Sequence, residues 1–309
     1  MNRGDIIECL SRVSAEKIAL RLLHLCYDPL PFRKLNCTLP GHGKCTLHEA
    51  DDYITGCLRD CGYRVHTEGV RVQAYRCDRS KPKSRQYAPP EPSDPWFTGY
   101  NLYAKKEGAE VPDEIIVLCA HKDSQSWCDS PGAYDNAVGV AAVMGIARVL
   151  ADVTTRRSVW FLFCNEEHTP WTSVTAAQRA SECGHNIVAV FNTDSIGGKS
   201  RRDIEAKRMT NVSVYTGKEG RLLAELMTQV INDYDIALHQ AMKKRNRPGD
   251  DDGSFIRAGF PAAIMNVGSY PYTNPDYHRE SDTADKVDIE NVYLAGKAIL
   301  AAVLERDRS

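Results

Sequence analysis

Five short apolar runs, separated by stretches of helical spacing, occupy most of the chain beyond residue 114. The runs are EIIVLCA, VWFLFC, IVAVFN, VSVYT and AAIMNV, and the helical stretches lie near residues 137–151, 173–183 and 219–234. Runs this short and this apolar are typical of strands buried on both faces. Buried strands that alternate with helices predict an α/β fold, a three-layer α/β/α sandwich around a mixed, mostly parallel central sheet.

The first third of the chain has a weaker pattern. The elements expected there are helices at residues 5–26 and 46–61 and strands at residues 64–76 and 97–104. At the other end of the chain, a last helix is expected near residues 289–305. Between the two strands, SKPKSRQYAPPEPSDP is too rich in proline and charge for either element and is interpreted as a surface loop. Because no repeat and no linker divides the sequence, we expect one domain over residues 1–309, with N-terminal helices (about residues 1–63) packed on it.

Composition and charge argue against several partners. The formal net charge is -2, which gives no long-range field that would attract nucleic acid or an anionic membrane. The basic run at residues 199–208 contains acids and no aromatic residues, so we interpret it as a solvated loop. The apolar stretch at residues 138–150 is too short to span a hydrocarbon layer. We therefore expect no nucleic-acid partner and no membrane partner.

The chain has eleven cysteines, an odd number, and their spacing does not suggest a disulfide framework. Several lie inside apolar runs, where free thiols pack as small hydrophobic groups. The amino-terminal stretch MNRGDIIECLSRVSAEK lacks the apolar core of a secretory signal, so we expect reduced thiols and a cytoplasmic location. Cys37, His42, Cys45 and His48 suggest a structural zinc site at first sight. Their thiolate and imidazole types alternate, unlike the usual paired spacing, so a loop of free residues is the favoured interpretation.

In a parallel sheet, functional residues collect beyond the carboxyl ends of the strands. Beyond three of the apolar runs, and at the start of the helix after the first loop, stand His121, Asp123, Glu166, Glu167, Asp194 and Asp135. Each is a candidate metal ligand or proton carrier. Unpaired carboxylates at a sheet edge carry a heavy desolvation cost, and one or two divalent ions would compensate all of them. Mixed imidazole and carboxylate ligation suits zinc, and also cobalt or manganese.

The segments HKDS, AYDNAVGV, NEE, NTDSIGG and NPDYHRESDT occur in the order found in the di-zinc aminopeptidase and glutaminyl cyclase family of metallopeptidases, and the chain resembles that family over roughly residues 101–292. The resemblance implies two zinc ions per chain. His121 and Asp194 would hold one ion, His278 and Glu167 would hold the other, and Asp135 would bridge both. It also implies a cis peptide bond between Asp135 and Asn136.

The resemblance further implies that Glu166 is the general base and that Tyr277 stabilises the reacting carbonyl oxygen, although a packing role for this tyrosine is the alternative. Asp123 lies two residues from His121, so at an extended strand end its carboxylate can orient the ligating imidazole. Simpler interpretations remain open. Asp123 and His121 would then form a surface ion pair, Asp135 would be a helix cap, and Glu166 with its neighbour would form a solvated acidic turn.

Together these features predict a metal-dependent aminopeptidase that hydrolyses the first bond of a peptide with a free amino terminus, using an activated water. A glutaminyl cyclase, which is an acyltransferase, and a binding protein that has lost catalysis are the alternatives from other classes. A dipeptidase is a further alternative among exopeptidases. A carboxypeptidase of the wider clan carries a lid domain between its last aspartate and histidine ligands. The interval from Asp194 to His278 leaves little room for one.

Overall fold

A computed structural model describes all residues 1–309 and contains ten strands and nine α-helices. The strands are β1 (Val65–Val72), β2 (Arg76–Cys77), β3 (Tyr87–Ala88), β4 (Phe97–Lys106), β5 (Val111–His121), β6 (Arg157–Cys164), β7 (Asn186–Thr193), β8 (Thr210–Tyr215), β9 (His239–Lys244) and β10 (Ala263–Val267). The helices are α1 (Arg3–Ser11), α2 (Ala15–Cys26), α3 (Thr46–Asp60), α4 (Val138–Leu150), α5 (Thr172–Glu182), α6 (Arg201–Glu205), α7 (Lys218–Asp233), α8 (Asp250–Arg257) and α9 (Ile289–Arg308).

Eight of the strands form one mixed sheet in the order β1-β4-β6-β5-β7-β10-β8-β9, while β2 and β3 form a separate hairpin. The four central strands β6, β5, β7 and β10 run parallel to one another, and β8 runs parallel to β9. Antiparallel pairs join β1 to β4, β4 to β6, and β10 to β8. Because the central strands are parallel, their carboxyl ends all lie at one edge of the sheet.

Helices cover both faces of this sheet. On one face, the largest core cluster joins residues of α1, α2, α3, α4, α7 and α9 to inward-facing residues of the central strands, such as Leu118 and Phe191. On the other face, α5 and α8 pack on a smaller cluster that contains Val117 and Val190. Alternate residues of β5 and β7 therefore point into different cores, as the side-chain period of a strand requires. The predicted three-layer α/β/α sandwich with a mixed central sheet is confirmed.

The prediction of one helix over residues 5–26 is wrong, because α1 ends at Ser11 and α2 begins at Ala15. Ser14 has an extended backbone, and its hydroxyl accepts a hydrogen bond from the backbone N–H of Lys17 at 3.2 Å. Serine is favoured at this capping position because its oxygen satisfies a free N–H of the first helical turn. The predicted strand at residues 64–76 ends at Val72. Strand β9 was not predicted because its sequence, HQAMKK, has no apolar run.

All eleven cysteines are free in the structure. His42 contacts the carboxylate of Glu49 at 2.7 Å, and His48 contacts the backbone carbonyl of Thr98 at 2.9 Å. No group of metal-binding side chains includes these histidines, Cys37 or Cys45. By length and composition the segment Ala133–Leu150 would suffice to cross a membrane, but 94% of it is buried inside the fold, where it forms part of the core.

Candidate active site

The five predicted metal ligands converge at the edge where the parallel central strands end. His121 is the last residue of β5, Glu167 lies three residues beyond β6, and Asp194 directly follows β7. His278 belongs to the loop that follows β10, and Asp135 precedes α4. Residues that lie far apart in the sequence are therefore neighbours because neighbouring parallel strands deliver them to the same edge.

Asp135 lies between the two histidines. Its Oδ1 is 3.0 Å from Nε2 of His121, and its Oδ2 is 3.0 Å from Nε2 of His278. Each histidine also faces one further carboxylate at 3.5 Å, Asp194 for His121 and Glu167 for His278. The arrangement consists of two half-sites that share Asp135, and each half-site has its own imidazole and its own second carboxylate.

This donor set fits divalent cations. One potential ligand atom from each of His121, Asp135 and Glu167 lies within 4.8 Å of the others, and the same holds for His121, Glu166 and Asp194. Burial alone would lower the pKa of His121, but hydrogen bonds to Asp123, Asp135 and Asp194 outweigh burial and raise this pKa well above its ordinary value. The carboxylates therefore attract positive charge strongly. Imidazole and carboxylate ligands without thiolates are typical of catalytic zinc.

Neighbouring side chains hold the backbone around Asp135 in place. The peptide bond between Asp135 and Asn136 is cis, as predicted. Asn136, rather than Asp135, accepts the N–H of Gly139 in the first turn of α4, at 3.0 Å, which argues against a capping role for Asp135. Asp282 accepts the N–H groups of Tyr134 and Asp135 at 2.8 and 3.1 Å. Although Asp282 stands in the segment NPDYHRESDT, no role for it was predicted.

Asp123 is fully buried and accepts hydrogen bonds from several groups at once. Its oxygens are 2.9 and 2.8 Å from the backbone nitrogens of Glu166 and Glu167, and 3.3 Å from Nδ1 of His121. A further contact of 2.8 Å joins Asp123 to Nδ1 of His168, a buried residue that was not predicted. Because Asp123 contacts both the imidazole and the turn that carries the glutamates, it can set their relative positions.

The carboxylates of Glu166 and Glu167 have different neighbours. The carboxylate of Glu166 belongs to the group with His121 and Asp194, while Glu167 faces His278, so the two adjacent glutamates point to different half-sites. Oε2 of Glu166 has no hydrogen-bond partner. Burial raises the pKa of Glu166 well above its ordinary value, and the neighbouring carboxylates of Asp251 and Asp250 raise it further. Its environment thus favours accepting a proton.

Aromatic rings form one wall of the site. The ring of Tyr277 stacks on the imidazole of His278, with ring centres 3.8 Å apart, and on Tyr272 at 4.4 Å. The ring of Trp127 meets the imidazole of His278 edge-on, with ring centres 5.2 Å apart. Tyr277 therefore lies beside the predicted ligands, as its predicted role requires, and it also packs against its neighbours.

Two further polar side chains contact the predicted ligands. The amide nitrogen of Gln125 is 2.9 Å from Oδ2 of Asp135 and 2.8 Å from Oε1 of Glu167. The hydroxyl of Tyr272 is 2.8 Å from Oδ2 of Asp194. No periodicity or spacing identified either residue. The nearest signal is that Gln125 directly follows the segment HKDS.

A buried arginine connects the N-terminal region to the loop that joins β5 to α4 at the site. The guanidinium of Arg33 donates to the carbonyl oxygens of Lys122 at 2.7 Å, Pro131 at 2.8 Å and Gly132 at 2.8 Å. The backbone of Arg33 also exchanges two hydrogen bonds with Ser124, at 3.0 and 2.9 Å. Because both ends of the loop between His121 and Asp135 contact this one side chain, the N-terminal segment supports the site.

Comparison with known proteins agrees with this architecture. The chain matches Peptidase family M28 over residues 101–303. It is 27% identical over 250 residues to a probable zinc metalloprotease of Pyricularia oryzae, covering 65% of this chain and 48% of that protein. It is 24% identical over 230 residues to leucine aminopeptidase 2 of Trichophyton rubrum, covering 69% and 46%. The chain thus spans about half the length of the curated relatives it matches.

Solved structures show the same fold at lower sequence identity. The LapA aminopeptidase of Legionella pneumophila superposes with a TM-score of 0.74 at 19% identity, covering 100% of this chain and 76% of that one. Glutaminyl cyclase of Bacteroides thetaiotaomicron superposes with a TM-score of 0.70 at 16% identity, covering 95% and 98%. The match to the family spans more than half of the sequence and includes every segment that carries the resemblance. The chain belongs to peptidase family M28.

Proposed function

We propose that this chain is a metal-dependent aminopeptidase with two zinc ions, which removes residues singly from the amino end of peptides. The observation that carries the proposal is the position of Asp135. Its two oxygens face two different histidines at 3.0 Å each, and each histidine has a second carboxylate beside it. Two half-sites that share a carboxylate are suited to a pair of ions that act together on one substrate.

His121 and Asp194 would hold one zinc ion, His278 and Glu167 would hold the other, and Asp135 would bridge them. Cobalt or manganese would suit the same ligands. Bound there, the ions would supply Lewis acidity and make a water molecule nucleophilic near neutral pH. No thiolate and no covalent intermediate on a side chain is required.

The roles of the other residues follow from their places around the two half-sites. Glu166 has a free carboxylate oxygen and lies on the His121 side, so it can take a proton from the attacking water and pass it to the leaving amine. Tyr277 stands beside His278, where its hydroxyl can donate to the oxygen of the peptide carbonyl. Asp123 fixes the position of the His121 imidazole relative to the turn that carries Glu166.

The charge balance of the site favours a substrate with a free amino group. The four carboxylates of Asp135, Glu166, Glu167 and Asp194 would balance two divalent cations, and a hydroxide formed from the attacking water would leave the site slightly negative, so one more cation is tolerated. An ammonium group beside Glu166 or Asp194 would fix the first peptide bond over the site. An internal peptide bond would lack this anchor.

Membership of family M28 supports a peptidase, and the similarity to a leucine aminopeptidase supports the aminopeptidase class. A glutaminyl cyclase shares the fold, so cyclisation of an amino-terminal glutamine is the second activity to measure. The remaining alternatives are exopeptidases that act on dipeptides or from the carboxyl end.

The proposal is tested by mass spectrometry with zinc-loaded protein and two versions of one peptide, uncapped and N-acetylated. We expect the uncapped peptide to lose residues singly from its amino end and the capped peptide to remain largely intact. A parallel sample with an amino-terminal glutamine peptide is assayed for ammonia. Release of ammonia without hydrolysis would assign a cyclase instead. Rapid internal cleavage, or loss of the carboxyl-terminal residue first, would also overturn the aminopeptidase assignment.

A further inference from the structure

Two uncharged side chains, Gln125 and Tyr272, donate hydrogen bonds to the carboxylates of the site, and they contact carboxylates of different half-sites. Gln125 contacts Asp135 and Glu167, which flank His278. Tyr272 contacts Asp194, which accompanies His121. Gln125 makes no hydrogen bond to Asp194, and Tyr272 makes none to Glu167, so the hydrogen bonds of each side chain reach one half-site.

The amide of Gln125 is fully buried, and both of its N–H groups are used by carboxylates. With its amide rotated by half a turn, the carbonyl oxygen of Gln125 would face the two carboxylates and be repelled by them. The observed orientation is therefore the favourable one. The carbonyl oxygen itself has no partner, so the contacts to Asp135 and Glu167 are the hydrogen bonds that hold this amide group in place.

The hydroxyl of Tyr272 has two carboxylate oxygens within reach, Oδ2 of Asp194 at 2.8 Å and Oδ1 of Asp250 at 3.2 Å. A phenol has one hydrogen to donate, and the shorter contact is to Asp194. Asp250 has another partner, because its Oδ2 is 2.6 Å from Arg245. Tyr272 is thus placed to hold Asp194.

We propose that Gln125 and Tyr272 are positioning residues that tune the two cation positions separately, Gln125 on the His278 side and Tyr272 on the His121 side. This inference rests on the proposed two-zinc function. A hydrogen bond to a ligating carboxylate fixes its direction and offsets the repulsion between neighbouring carboxylates. Loss of such a partner typically weakens metal affinity by about 10–100-fold.

Asp135 is shared by both half-sites, but the contact with Gln125 remains selective. Gln125 meets Oδ2 of Asp135, which is the oxygen that faces His278, whereas Oδ1 faces His121. Removing the amide therefore frees one oxygen of Asp135 together with Glu167, and both belong to the His278 side.

The experiment is a stepwise zinc titration of metal-free protein in competition with a chelator, for the unaltered chain, Gln125→Met and Tyr272→Phe. Methionine keeps the length of the glutamine side chain without its donors, and phenylalanine removes the hydroxyl alone. We expect Gln125→Met to weaken one of two binding steps by about 10-fold or more, and Tyr272→Phe to weaken the other step by a similar factor.

The steps are assigned with His278→Ala, which removes the His278-side position. In the His278→Ala protein, we expect Tyr272→Phe to weaken the one zinc-binding step that remains and Gln125→Met to leave that step unchanged. Thermal unfolding of each metal-free variant checks that it folds, and Gln125→Asn, whose shorter amide cannot reach both carboxylates, replaces Gln125→Met should that variant fail to fold.

The outcomes separate the two proposals. An unaltered chain that binds fewer than two zinc ions would contradict the proposed function. An unaltered chain that binds two ions, with both steps unchanged or equally weakened in the folded Gln125 and Tyr272 variants, would contradict this inference alone.

Discussion

Among single residues, Glu166 and Glu167 are adjacent in the sequence but have different surroundings. Glu167 faces His278 and receives a hydrogen bond from Gln125, whereas Glu166 lies near His121 with one oxygen unpartnered. Their backbone N–H groups both donate to Asp123, which keeps the turn in place. One carboxylate is thus held as a ligand would be, and its neighbour is left able to exchange a proton.

We expect Glu166→Gln to keep its zinc and lose turnover by about 10²–10⁴-fold, because the amide cannot accept the proton of the attacking water. Glu167→Gln should instead lose zinc, because one ligand oxygen is replaced by an amide that binds metal poorly. Zinc per chain after dialysis, measured by atomic spectrometry, and peptide turnover distinguish the two variants. Equal loss of zinc in both would contradict the division of roles.

Among the elements, the contact of α4 with the end of β7 sets the position of Asp135. Asn136 donates to the carbonyl oxygen of Thr193 at 2.8 Å and accepts the N–H groups of Gly139 and Ser195 at 3.0 and 3.2 Å. A Cβ atom at Gly139 would lie closer than 3.0 Å to both Asn136 and the carbonyl oxygen of Thr193. Only glycine allows this approach without a shift of the backbone.

Gly139→Ala should therefore separate α4 from β7, lower the free energy of unfolding by about 1–3 kcal/mol and weaken zinc binding. Gly145→Ala, in the same helix, is the matched control, since its added Cβ would meet only Arg21 and Ile18 at ordinary distances of 3.4 and 3.9 Å. That variant should be unchanged or more stable by up to about 1 kcal/mol, because alanine favours a helix. Urea unfolding and zinc titration measure both effects. Similar results for the two variants would show that the space at Gly139 is not limiting.

At the level of the whole molecule, the N-terminal helices and the sheet share one core. Ile6 of α1, Leu22 of α2 and Ile54 of α3 belong to the same apolar cluster as α4 and α9. Arg33 adds polar contacts between this region and the loop that joins β5 to α4. We therefore propose that residues 1–309 unfold as one cooperative unit.

Leu22→Ala tests this proposal, because Leu22 is 1% exposed and its truncation should cost about 2–5 kcal/mol. Leu20→Ala, on the exposed side of the same helix, should change stability by no more than about 0.5 kcal/mol. All four tryptophans lie between residues 96 and 171, outside the N-terminal helices. If residues 1–309 unfold as a single unit, Leu22→Ala shifts the unfolding transition followed by tryptophan fluorescence and the one followed by far-ultraviolet circular dichroism by the same amount. If the dichroism transition of Leu22→Ala begins earlier while its fluorescence transition stays where it is in the unaltered chain, the N-terminal helices unfold alone.

The sequence by itself determined the α/β class, the sheet edge at which the candidate ligands gather and the residue types found there. These features are local, because apolar runs and their periodicity reflect burial, and the residues after each run must lie at a strand end. The resemblance to a family of metallopeptidases, carried by short segments in a fixed order, is confirmed by the match over residues 101–303. The roles of the individual site residues stay predictions.

Only the tertiary structure decided which groups surround those residues. Gln125 meets Glu167 across 42 positions of sequence, and Tyr272 meets Asp194 across 78. The edge strand β9 has no apolar run and is defined by its pairing with β8. Such contacts depend on how strands and loops pack in three dimensions. A lone glutamine or tyrosine has no periodicity that would distinguish a site residue from an ordinary one.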